Sequence, residues 1–223
     1  MKKNFNIVLT LFFLFSPLAL VLGDVAISGA TPIEAISFTG VSSNYNDGIS
    51  YSLGFEFSTN SDIYVNDLGF YDYGADGFAD SHAVGIFGLV NSNPVLLVSD
   101  IVSNSDPLEG SFRYTTLSSP LLLTVGNTYY IAGVTGPVDH YTWNAQNIVV
   151  ADEINYDGNN ASAFKAGTSL VFPNDHNSSD NGFFGPNFKL SSDGAPVPEP
   201  TTILLFGSGL IGLTRFRKKF KKG

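Results

Sequence analysis

The 223-residue chain has no cysteine, and its formal net charge of −9 understates how acidic its centre is. Between Asp24 and Gly194 three cations (Arg113, Lys165 and Lys189) stand against nineteen Asp and Glu, a net of −16, while the remaining positive charge sits at the two ends. So acidic a body repels phosphates and excludes nucleic acid as a partner, leaving divalent cations and neutral glycans as compatible ones.

The N-terminus carries Lys2 and Lys3, then a run from Phe5 to Leu22 that is apolar apart from Asn6, Thr10 and Ser16. Val21 and Gly23 follow as small or modest residues before Asp24. Basic, apolar and small residues in that order predict a secretory signal peptide over residues 1–23, with an N-terminal membrane anchor as the alternative. An exported chain has access to disulfides, so their absence leaves the fold to its own core. The 171 residues from Asp24 to Gly194 suffice for one domain that buries about two-thirds of its unfolded surface.

Period-two alternation begins at Tyr51, Leu53, Phe55 and Phe57. Ile63–Tyr73, His82–Val90, Val95–Val102, Phe112–Leu117 and Thr128–Val134 are rich in β-branched and aromatic residues. They are punctuated by Asn46-Asp47-Gly48, Asn91-Ser92-Asn93-Pro94 and Val125-Gly126-Asn127. Short strands at this spacing, with no helical period between the two ends, predict an all-β sandwich. Gly136–Ala166 is less regular and is expected to form long loops.

The densest acidic turn is "DYGADGFAD". Asp72, Asp76 and Asp80 are its candidate calcium ligands, because calcium takes six to eight oxygens from carboxylates and loop carbonyls. The spacing departs from the EF-hand loop, and a solvated inter-strand turn is the alternative. Asp152-Glu153 with Asp157-Gly158-Asn159 forms a second, weaker acidic stretch. His82, His140 and His176 form no close pair of the kind that announces a zinc site, and His82 is expected to pack or hydrogen-bond at the start of its strand. No serine lies in G-x-S-x-G, and paired carboxylates for glycoside hydrolysis are recognised only by their separation in space. Nothing in the chain points to an enzyme. In "DHYTWN", Tyr141 and Trp143 are candidates for stacking on a sugar ring, with nearby Asn and Asp as hydrogen-bond partners, against the alternative that the lone Trp anchors the core.

At the C-terminus Gly207, Gly209 and Gly212 spell G-x-G-x-x-G, but only eleven residues follow, too few for a dinucleotide-binding βαβ unit. The better reading is tripartite. "APVPEP" is an extended spacer, Thr201–Thr214 is fourteen residues without a charge, and six Arg and Lys close the chain. As a helix the apolar stretch rises about 21 Å, short of the roughly 30 Å hydrocarbon core.

With Pro198-Glu199-Pro200, this tail resembles the PEP-CTERM sorting domain of exported bacterial β-sandwich proteins. "NDLGFYDYGADGFADSHAVG", "VLLVSDIV" and "FRYTTLSSPLLLTVGNTYYIAG" resemble the bodies of the same group. The resemblance implies that a membrane-embedded exosortase reads Pro198, Glu199 and Pro200 and removes the tail; a permanent single-pass anchor is the alternative. It implies no catalytic activity. The expected architecture is therefore all-β: a single jelly-roll-like β-sandwich (residues 24–194) between a signal peptide (1–23) and a sorting segment with a C-terminal apolar helix (195–223). The expected role is that of a non-enzymatic protein of the cell surface or extracellular polysaccharide matrix. The alternative is a carbohydrate-binding module, stabilised by calcium.

Overall fold

The computed structural model describes residues 30–156, 162–176 and 182–192. The expected signal peptide, the sorting segment with Pro198, Glu199 and Pro200, and Asp157-Gly158-Asn159 lie outside the described residues. Among the described residues no helix is long and apolar enough to cross a membrane.

Two antiparallel sheets face each other. The first runs in the order β1 (Ile33–Glu34), β16 (Pro186–Ser191), β5 (Ile63–Tyr71), β9 (Phe112–Leu123) and β8 (Leu108–Glu109). The second runs β15 (Asp175–His176), β14 (Ser162–Ala166), β4 (Tyr51–Thr59), β10 (Thr128–Val134), β6 (His82–Val90) and β7 (Asn93–Val102), with β13 (Ile154–Asn155) also paired to β4. Two small ribbons complete the body: β3 (Gly40–Tyr45) with β11 (Tyr141–Gln146), and β2 (Ile36–Ser37) with β12 (Val149–Val150). The expected all-β sandwich is the observed one. The loops expected over Gly136–Ala166 are in part short strands (β11, β12, β13 and β14). Each pairs with a segment distant in sequence, so no long local alternation marks it.

The alternation seen in the sequence is the inside–outside period of the strands. Phe55, Phe57, Ile86 and Ile131 of one sheet meet Val65, Leu68, Phe70, Phe188 and Leu190 of the other in a single buried core. Each such side chain contributes roughly 1.5–3 kcal/mol by leaving water. On the other side of the first sheet, register lines up Glu34, Lys189, Asp67 and Thr116 across four strands. The β6–β7 connection has two residues, Asn91 and Ser92, both at positive φ (50° and 62°). That is the type I′ geometry that matches strand twist in a tight hairpin.

Phe70 links the core to the end of the sandwich where β5 finishes and β6 begins. Its ring lies against Gly133 and Gly185, where an added Cβ would stand 2.9 Å from ring carbons. β10 of the opposite sheet, at Gly133, and the segment leading into β16, at Gly185, can approach this ring only because both positions lack a side chain. His82 then stacks on Phe70, with centroids 3.9 Å apart and planes 8° from parallel.

A candidate binding cleft at one end of the sandwich

Leaving β5, the chain turns through the 3-10 segment Tyr73–Ala75. Gly74, Ala75 and Gly77 all take positive φ. Gly77 has a second constraint, since a Cβ there would stand 2.8 Å from Asn104 Oδ1. Asn104 reads this turn directly: its side chain accepts from the Phe78 N–H (2.5 Å) and donates to the Phe78 carbonyl (2.8 Å).

Asp72 is the buried anchor of the turn. Its Oδ2 accepts from Arg113 Nε at 2.8 Å and its Oδ1 from the Gly77 N–H at 3.1 Å. Arg113 also donates to the carbonyls of Asp106 and Asn104. Asp76 and Asp80 are exposed. The three carboxylates of the acidic turn thus have separate surroundings, and Asp72 has its own cation. Among the described residues no group of three or more His, Cys, Asp or Glu side chains is arranged to hold a metal ion.

Asp139 reaches across from the segment after β10. It accepts from the Ala79 N–H (2.9 and 3.0 Å) and the Asp80 N–H (3.0 Å), and its Oδ2 lies 3.2 Å from His82 Nε2. The His82 ring is fully buried, with Phe78 edge-on at 4.6 Å, and its Nδ1 donates to the Val134 carbonyl at 2.8 Å. Burial is the dominant influence and pushes the imidazole below its ordinary pKa, with Asp139 and the Val134 carbonyl only partly opposing it. Nε2 faces Asp139 Oδ2 without hydrogen-bond geometry, so the ring is fixed by the Val134 carbonyl and by its packing between Phe70 and Phe78.

Between the two joined segments lies a cleft of about 530 Å³. Tyr71, Tyr73, Asp76, Phe78, Asp139 and His140 line it. Tyr73 is 47% exposed, and its ring lies 5.0 Å from that of His140. Aromatic faces beside carboxylates and loop amides give a surface that suits a neutral polyhydroxylated ligand. His176, in β15, is exposed and near Tyr130 rather than near the other histidines.

Tyr141 and Trp143 lie elsewhere. Tyr141 is 5% exposed and packs with Leu53 and Phe183, so neither ring face is open to a sugar. Trp143 is half-buried, with its ring 4.4 Å from that of Tyr45. Tyr73 and Asp139 were not singled out in the sequence. Their only local signal is the position of each beside a Gly/Asp turn or a histidine, "DYGAD" and "VDHY".

A second depression, of about 600 Å³, lies beside the Lys189–Asp67–Thr116 row of the first sheet. Glu109 there is held by Lys189 at 2.5 Å, and Asp67 accepts from Thr116 Oγ1 at 2.6 Å. Burial raises the carboxyl pKa of Asp67 and of Glu34.

Residues 38–184, about two-thirds of the chain, match the family model described as Domain of unknown function (DUF4082). The chain belongs to the DUF4082 family. The matched span of this DUF4082 protein begins at Phe38 and ends at Phe184, so it includes both segments that form the cleft. Residues 196–219 match the PEP-CTERM protein-sorting motif, which marks an exported protein sorted by an exosortase-type enzyme to the cell envelope or surface. No curated protein matches the chain.

Proposed function

We propose that this chain is a non-catalytic surface protein, retained in the envelope or extracellular polysaccharide matrix after the exosortase step. The observation that carries the reading is the sorting motif at residues 196–219, attached to a strongly acidic β-sandwich. The absence of catalysis is supported by the pairing of Asp72, the buried acid of the turn, with Arg113. Pulse-chase labelling tests the sorting half. Wild type loses its tail and leaves the membrane fraction for the matrix fraction, whereas replacing Pro198-Glu199-Pro200 by alanines keeps the tail attached. A tail retained in wild type refutes the reading.

The cleft supports a carbohydrate-binding role within it. Tyr73 is the one large aromatic in the lining with nearly half its surface free, and His140 backs it. On a glycan array Tyr73→Ala is expected to lose at least tenfold in affinity for neutral polysaccharide, the equivalent of about 1.4 kcal/mol of stacking. Trp143→Ala, aimed at the packed aromatic cluster, is expected to lower stability more than affinity. The opposite pattern would move the glycan site to Trp143.

A further inference from the structure

We infer that two copies of this protein associate edge to edge through β7. This strand is the outermost of the second sheet, hydrogen-bonded to β6 along one side and, among the described residues, to no strand along the other. Such an edge presents N–H and C=O groups as a template for another strand, here short of Ile101, whose N–H donates to Asp100 Oδ1 at 2.8 Å. Its side chains are as unusual as its backbone. Leu89, Val90, Val95, Leu96, Leu97 and Ile101, all from one hairpin, are between 37% and 55% exposed.

The occupant follows from charge and area. Each body carries a net −16, so two copies can approach only where charge is locally absent. The eleven residues from Leu89 to Ser99 include no charged side chain. Antiparallel pairing centred on Leu97 sets Leu96 opposite Val98 and Val95 opposite Ser99. It also places Asp100, the only carboxylate of the strand, opposite Pro94, so no like charges face each other. Pro94 and Asp100 bracket the seam. The bulge that leaves Leu97 without a partner on β6 lies at its centre. The isologous contact is closed, giving a pair rather than a fibre. The four half-exposed aliphatic residues on β7 itself supply far less apolar area per copy than the roughly 800 Å² of a standard interface, which makes the pair weak when dilute. Chains delivered to one envelope meet at a much higher effective concentration.

The chain has no cysteine, so a single introduced thiol reports this geometry without interference. Residues directly opposite in an antiparallel pair have Cα atoms about 4.5–5.5 Å apart, within the reach of a disulfide. The full chain carrying Leu97→Cys, expressed with its sorting system and oxidised on intact cells, is expected to run at twice its mass on a non-reducing gel. Val149→Cys, exposed on β12, is expected to remain monomeric. Sedimentation of the full chain in mild detergent supplies the second reading: wild type shifts to dimer as concentration rises through tens of micromolar. Leu97→Lys, with two ammonium groups facing each other, stays monomeric at an unchanged unfolding midpoint. The inference is overturned by equal cross-linking at both positions or at neither. It is also overturned by a wild type that is monomeric throughout, or by a hairpin that binds lipid vesicles instead of its copy.

Discussion

His82 shows most clearly how a single residue is determined by its surroundings in this protein. Its ring fills the space between Phe70 and Phe78, its Nδ1–H is committed to the Val134 carbonyl, and carboxylates of Asp139 and Asp80 lie on its charged side. Burial outweighs those carboxylates and holds the folded-state pKa below the ordinary 6.5. The sign of the consequence is fixed by linkage. Well above pH 6.5 the imidazole is neutral in both states and contributes no slope. As pH falls below 6.5 the unfolded chain takes the proton first, so folding stability declines until the folded pKa is passed. Urea unfolding of wild type between pH 7.5 and 5.5 is therefore expected to show stability falling with acid. In His82→Gln, whatever its absolute stability, that part of the slope should be missing. An unchanged slope in the variant would mean that the folded protein holds an imidazolium against Asp139.

At the scale of elements, β4 and β6 were legible because apolar residues recur along them and turn residues bound them. The alternation through Tyr51, Leu53, Phe55 and Phe57 became β4, and His82–Val90 became β6 with the same bounds. The turn after β6 was legible only as the four-residue stretch Asn91-Ser92-Asn93-Pro94; the structure narrows it to Asn91 and Ser92, both at positive φ, and starts β7 at Asn93. Strand order was not legible. β16, the last strand among the described residues, lies between β1 and β5, a neighbour relation set by the core and not by local pattern. The candidate site failed to show for the same reason: Asp139 meets the amides of Ala79 and Asp80 across about sixty residues of sequence. The acidic turn was visible as acidic. What the sequence hid was that Arg113, on β9, takes the carboxylate of Asp72, leaving Asp76 and Asp80 to solvent. In the sequence Tyr141 and Trp143 stand as candidates for sugar stacking beside the competing reading of aromatic packing. Pairing of β11 with β3 instead brings them into a cluster with Tyr45, Tyr51, Phe164 and Phe183.

At the scale of the whole molecule, charge and edge act against each other. Nineteen carboxylates against three cations keep copies of the body apart, while the uncharged stretch Leu89–Ser99 of the β6–β7 hairpin offers an apolar edge at which they can meet. The balance is set by screening. At 10 mM salt the Debye length is about 30 Å, so much of each body feels its partner; at 150 mM it is about 8 Å and only groups flanking the seam do. The seam contains no ion pair for salt to weaken. Added sodium chloride should therefore tighten the pair, with the dissociation constant falling several-fold between 10 and 150 mM in equilibrium sedimentation. Leu97→Lys should stay monomeric across that range, because its repulsion lies within a few ångströms of the axis, where screening is least effective. Weakening of the wild-type pair by salt would instead place its energy in ion pairs, and Lys165 and Asp175, exposed on the opposite edge of the same sheet, would be the first contact to examine.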